Sequence, residues 1–268
     1  DVNLHVKQGK IRSTALGLRC YLRSCLIKHD MKRKTYHRVL AIIGIAAIVS
    51  NTSYAQSKKE NGDLKHFPKG STPQEIGKRV ADHFIATPHG NFGRTKPTKS
   101  IIYPETCAWY GALTFAKATK DKALTTRLEE RFTPLWGPEA SLVPKPVHVD
   151  YTVFGAVPLE LYLQTHNQQY LTLGRNMADK QWETPEGPQV KPEAKTWADK
   201  GYTWQTRLWI DDMFMITAVQ AQAYRATGDR RYIDRAAREM VLYLDSLQTP
   251  NGLFYHAPDV PYYWGRGN

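Results

Sequence analysis

Two adjacent carboxylates, Asp211 and Asp212, stand in Leu208-Trp209-Ile210-Asp211-Asp212-Met213-Phe214-Met215, where an aromatic-rich loop turns into an apolar helix. Charge is costly in such a place unless capping or chemistry requires it. A carboxylate at a helix start bonds free amide N–H groups and meets the positive end of the dipole, so one of the pair needs no other explanation. Both cannot cap, because neighbours on a helix diverge by about 100°. Among Trp209, Met213, Phe214 and Met215 a carboxyl group is pushed toward its protonated form, in which it can serve as a general acid near neutral pH. Asp150, in Val147-His148-Val149-Asp150-Tyr151, occupies a similar loop-to-helix junction, where its simplest role is to cap a helix starting near Thr152. Two carboxylates facing one pocket are the usual equipment for glycosidic chemistry. The residues alone leave capping and catalysis both open.

His256 follows a predicted helix exit in Leu253-Phe254-Tyr255-His256, and can donate to a substrate oxygen or bond a loop carbonyl. Arg266 lies between two glycines, where its guanidinium can grip a carboxylate in a bidentate fork or form a surface salt bridge. Trp197, Trp204, Trp209, Tyr262, Tyr263 and Trp264 fall in predicted loops, where they suit stacking on sugar rings as well as ordinary packing.

These residues need elements to position them. From Thr72 onward apolar residues recur at three and four, which predicts helices over 73–85, 105–119, 122–135, 152–165, 169–182, 212–227 and 231–247, with no convincing strand. Thr72-Pro73 with Glu75, and Asp229, are good caps. A weak repeat aligns Thr119, Thr165 and Thr227, each closing one helix just before an Asp or Asn that starts the next. The spacings of 46 and 62 residues differ mainly by the proline-bearing insertion 183–201. Repeating helical hairpins stack as an open solenoid or close into a toroid, and the uneven spacing favours the toroid over a regular solenoid or an irregular bundle. In a toroid the starts of successive first helices face one mouth, which would bring Asp150 and Asp211 together.

Charge and cysteine usage narrow the function further. Residues 1–60 hold 12 Lys and Arg against 3 Asp and Glu, so most of the net charge of +12 lies there; the remaining 208 residues carry 25 against 22. A nucleic-acid partner loses its main support. Met31 opens a basic start, an apolar stretch to Val49 and a small-residue exit at Ser53-Tyr54-Ala55, the pattern of a secretory signal peptide cut before Gln56. Residues 31–55 are thus expected to be removed, 1–30 to be upstream sequence translated in error, 56–71 to be a linker, and the protein to be exported to the periplasm or medium without a membrane partner. Cys107 is then the lone cysteine, expected as a buried structural thiol. No Cys-x-x-Cys or His-x-x-x-His pair suggests a metal site.

Trp209-Ile210-Asp211-Asp212-Met213-Phe214-Met215, Phe254-Tyr255-His256 and Trp264-Gly265-Arg266-Gly267-Asn268 together resemble glycoside hydrolase family 105, the unsaturated rhamnogalacturonyl hydrolases. Family 88, the unsaturated glucuronyl hydrolases, is the nearest relative. The resemblance covers most of 73–268 and implies an all-α (α/α)6 barrel without cofactor. The reaction it implies is removal of a 4,5-unsaturated galacturonic acid from lyase-cut pectin by hydration of the vinyl ether. Asp211 matches the family's acid, Asp150 its second carboxylate, His256 and Arg266 its substrate contacts; Trp209, Met215 and Tyr110 are assigned to the same pocket. Lys200-Gly201-Tyr202 stands where some members carry a histidine. About seven helices are predicted where a closed barrel needs twelve, so a barrel truncated on its C-terminal side is expected. Two competing readings remain: a non-catalytic sugar- or peptide-binding solenoid, and an epimerase using His148 with His256. Oligomeric state is not legible.

Overall fold

The computed structural model describes residues 66–89, 96–187, 190–265 and 268. The expected signal peptide, the segment before it and residues 56–65 of the expected linker lie outside the described residues. Among those described, no helix is long and apolar enough to cross a membrane.

The chain is helical from Pro73 onward: α1 (Pro73–Ala86), α2 (Tyr103–Thr119), α3 (Lys122–Phe132), the single turn α4 (Val149–Thr152), α5 (Ala156–Thr165), α6 (Gln168–Lys180), α7 (Pro192–Asp199), α8 (Asp212–Thr227) and α9 (Arg230–Leu247). Tight 3-10 turns extend α3 to Trp136 and join α4 to α5. The predicted capping box opens α1: the Thr72 hydroxyl accepts from the Glu75 amide, and the Glu75 carboxylate accepts from the Thr72 amide.

The repeat is real and has a local cause. At Thr119, Thr165 and Thr227 the hydroxyl donates to the carbonyl four residues back, ending the helix on its own backbone. The next residue, Lys120, His166 or Gly228, turns left-handed (φ 58°, 61° and 72°). Asp121, Asn167 or Asp229 then caps the following helix. Each turn folds a helix back on its predecessor, giving the pairs α2–α3, α5–α6 and α8–α9.

Burial separates inner from outer helices. In α5 every residue from Ala156 to Leu161 is buried, which requires neighbours on all sides. In α9 the buried residues Tyr232, Ala236, Glu239, Tyr243 and Leu247 form one stripe, and α3 buries only Leu124, Leu128 and Phe132. The inner helices α2, α5 and α8 pack side by side in chain order, with α3, α6 and α9 outside them. This is the helical-hairpin architecture of an (α/α)6 barrel. One core cluster centres on Trp109, Leu113, Leu128, Phe132 and Phe154, the other on Val149, Ile216, Val219, Tyr232 and Tyr243. Close approach of α6 depends on Gly174, where a Cβ would collide with Leu159.

Two elements depart from the sequence expectation. Helix α7 lies inside the insertion read as a loop, and an antiparallel hairpin, β1 (Tyr255–Ala257) with β2 (Val260–Tyr263), follows α9 where no strand was expected. His256 therefore sits in a strand rather than just beyond a helix.

Candidate active site

The starts of the inner helices α2 and α8, with the α4 turn that leads into α5, open onto one cavity of about 800 Å³. Helix α2 brings Tyr103 and Cys107, the α4 turn brings Asp150, and the loop into α8 brings Arg207, Trp209, Ile210 and Asp211. Met213, Phe214 and Met215 from the first turn of α8, with His256 and Trp264 from the hairpin, complete the lining. Asp150, Asp211, Trp209, Met215 and His256 are thus brought together. Tyr110 is not among the lining residues; it packs between the two core clusters. Arg266 lies outside the described residues.

The adjacent carboxylates have separate environments. Asp211 occupies the cap position of α8 in helical geometry (φ −61°, ψ −29°), makes no side-chain capping bond, and borders the cavity. Asp212, in the first turn, is completely buried. Its carboxylate accepts from Arg207 Nε at 2.9 Å and Arg207 Nη2 at 2.7 Å, a bidentate fork. Burial pushes the Asp212 carboxyl up from its ordinary value, while Arg207 works in the opposite direction. Burial also opposes the Arg207 charge, but the bonds and charge of Asp212, with Asp150, outweigh it and raise the guanidinium.

Asp150 does not cap its helix, as had been expected. His148 holds the cap position, its Nδ1 accepting from the Asp150 amide at 3.2 Å, which leaves the Asp150 carboxylate to face the cavity. Arg207 Nη2 donates to Asp150 Oδ1 at 3.3 Å, and Arg207 Nη1 lies 3.3 Å from His148 Nε2. His148 faces a second cavity behind Arg207 and is not among the residues lining the first, so the first does not hold a histidine pair.

His256 stands among aromatic rings, parallel to Tyr262 with centroids 5.8 Å apart, and 4.7 Å and 5.3 Å from Trp264 and Trp209. Its carbonyl accepts from the Ile210 amide, so the hairpin is tied to the loop before Asp211. Among the described residues the buried His256 Nδ1 has no hydrogen-bond partner. Cys107 is a half-buried free thiol at the cavity wall rather than a core residue, and burial raises its thiol above the ordinary value. Among the described residues no group of three His, Cys, Asp or Glu side chains is arranged to hold a metal ion.

Sequence reasoning missed Arg207, although a signal was present: no other cation stands between Lys200 and Arg225, and two aspartates follow it.

Residues 76–268 match the profile of Glycosyl Hydrolase Family 88. The chain belongs to that family. Among solved structures, a possible member of the GH105 family from Salmonella enterica subsp. enterica serovar Paratyphi A superposes with a TM-score of 0.52 at 15% identity, covering 75% of this chain and 55% of that one. The chain thus spans about half the length of that structure. At that identity the likeness concerns the fold, an arrangement the family 88 chain shares with a possible family 105 protein. No curated protein sequence matches the chain.

Proposed function

We propose that the protein is an exported unsaturated uronyl hydrolase. It releases a 4,5-unsaturated galacturonic acid from the non-reducing end of lyase-cut rhamnogalacturonan or pectin oligosaccharides. The observation that carries this reading is the meeting of Asp150, from the α4 turn that leads into α5, and Asp211, from the start of α8, on one cavity edged by Trp209, Phe214 and Trp264. Helix starts carry partial positive charge, which suits a substrate carboxylate, and exposed indoles suit sugar faces.

In the proposed reaction protonated Asp211 delivers its proton to C4, and the double-bond electron pair forms the new C4–H bond. Asp150, as a carboxylate, orients a water whose oxygen bonds to the electron-poor C5, and the proton lost by that water returns to a carboxylate. The hemiketal so formed opens and the remaining saccharide leaves, with one water consumed in total.

A second reading is favoured by the family 88 profile: an unsaturated glucuronyl hydrolase acting on glycosaminoglycan-type disaccharides. Loss of ultraviolet absorbance of the conjugated uronate, followed with both disaccharide classes, separates the two. Asp211→Asn should lower kcat by about 10²–10⁴-fold. Full activity in that variant, or wild-type rates still rising well above about pH 8, where a carboxylic acid is ionised, would sink the mechanism. A protein that binds both sugars and turns over neither would favour the non-catalytic reading. Export predicts a mature N-terminus at Gln56, which terminal sequencing of periplasmic material checks.

A further inference from the structure

Arg207 has no part in the reaction just described, yet it is the most connected side chain of the site. Its fork closes on buried Asp212, the outer Nη2 reaches on to Asp150, Nη1 meets His148, and its Cζ lies 4.6 Å from the Trp209 ring centre. The backbone contributes to this arrangement. Leu208 is left-handed (φ 57°), a conformation that costs a non-glycine residue about 1 kcal/mol, and the bend brings Arg207 beneath Trp209 although they are two residues apart. Beneath the same loop, the buried Glu239 accepts from the Thr203 amide and the Thr206 hydroxyl, so the strand of chain entering Arg207 is anchored as well.

We propose that Arg207 is the positioning residue of this site: it fastens the Asp150 carboxylate to the buried Asp212, holds it toward the cavity, and supports the Trp209 ring from below. The inference rests on the reading of Asp150 as the second carboxylate. Asp212 is then the anchor of the guanidinium rather than a second acid, which gives the aspartate pair a division of labour. Asp211 works on substrate while Asp212 holds the residue that holds Asp150. A lysine could supply the charge but not the planar fork that spans two carboxylates.

The test uses the full chain and two readouts. Arg207→Met alone strands the buried Asp212 charge and can unfold the protein, so Arg207→Met with Asp212→Asn is compared with Asp212→Asn alone. The first readout is the setting of the Asp150 carboxyl, followed at fixed pH by its carbon NMR signal and assigned by the signal lost in Asp150→Asn. Removing Arg207 should shift and broaden that signal, because the carboxylate loses the donor that fixes its orientation. The second readout is turnover of an unsaturated disaccharide. The double variant should lose about 100-fold in kcat with KM within about threefold, the pattern of a misplaced reacting group, and Arg207→Lys should recover only part of it. A carboxyl signal that stays put in a folded double variant, or wild-type kcat and KM there, overturns the proposal. If the wild type turns over no unsaturated disaccharide, the proposed reaction falls, and the carboxyl signal still decides whether Arg207 governs Asp150.

Discussion

Two arginines in this barrel each hold a buried carboxylate beside an imidazole and an aromatic ring, and only one of them borders the candidate active site. Arg131 Nη2 donates to Glu105 Oε1 at 2.8 Å, the guanidinium lies over Phe84 and Trp109, and Nη1 donates to the Ile85 and Thr87 carbonyls, with His89 against the same carboxylate. Arg207 repeats the pattern with Asp212, His148 and Trp209. Arg131 is 7% exposed and Trp109 fully buried, while Arg207 is 26% exposed and Trp209 44%. In the closed cluster Nη1 ends on two backbone carbonyls, and in the open one Nη2 reaches on to Asp150. The same chemistry serves as a rivet where packing seals it, and as a support where a cavity leaves a second carboxylate and one face of a ring available.

The largest effect should come from breaking the closed cluster. Arg131→Met leaves Glu105 buried without its cation and two carbonyls without a donor, so urea unfolding should show a loss of about 3–5 kcal/mol. Adding Glu105→Leu removes the stranded charge and should restore most of that stability without altering turnover. The matching pair at the open cluster, Arg207→Met with Asp212→Asn, should regain stability but not activity. Equal recovery of activity in both pairs would erase the distinction.

Much of this arrangement was legible in the sequence. Long helices announce themselves by period, and the three Thr turns could be aligned because each uses only local bonds: a hydroxyl to its own helix, one left-handed residue, one capping side chain. Placing Asp150 and Asp211 at equivalent helix starts followed from that alignment. What escaped depends on contacts distant in sequence or on weak local signals. Arg207 meets His148 and Asp150 across 59 and 57 residues, a juxtaposition no periodicity reveals. Helix α7 has eight residues and no side-chain cap, and only Pro192 and Glu193 hinted at it. The β1–β2 hairpin is three residues against four with a shifted register, too short for an alternating pattern. Asp150 looked like a cap because aspartate commonly is one; the imidazole two residues earlier took that role and freed the carboxylate. Cys107 read as core because α2 is amphipathic, but it lies near the start of an inner helix, where one face borders the cavity.

A smaller and pH-dependent difference should appear at Glu239, which underlies the open cluster. Burial pushes its carboxyl up to about 7 against the bonds from Thr206 and Thr203, with the Asp212 charge adding to the rise. The folded state therefore binds a proton more tightly than the unfolded chain does. Its stabilising contribution is complete below about pH 4.5, declines as pH climbs through 7, and is gone above that. A shift from 4.5 to about 7 corresponds to roughly 3 kcal/mol. Glu239→Gln mimics the protonated form: its carbonyl can accept from the Thr203 amide and its NH₂ can donate to the Thr206 hydroxyl. The wild type should lose stability between pH 5 and pH 8 relative to Glu239→Gln, read as a divergence of urea midpoints. Parallel midpoints would mean that Glu239 stays ionised and that the loop carrying Arg207 rests on a charge.

The smallest effect on the fold should come from Trp209, and the contrast with Trp109 makes it informative. Trp109 is sealed in the core, its indole N–H donating to the Leu128 carbonyl, so truncation there should cost about 3–5 kcal/mol of stability. Trp209 lies over Arg207 and beside His256 with nearly half its surface exposed, so Trp209→Ala gives up one cation–π contact of about 0.5–1 kcal/mol and much less buried area than truncation of Trp109. Its ring is placed to meet substrate, and its loss should raise KM about tenfold, equivalent to about 1.4 kcal/mol of binding, while the melting temperature moves by only a few degrees. The opposite outcome, a large drop in melting temperature with KM unchanged, would make Trp209 a structural ring like Trp109. It would also place the sugar elsewhere in the cavity, against Phe214 or Trp264.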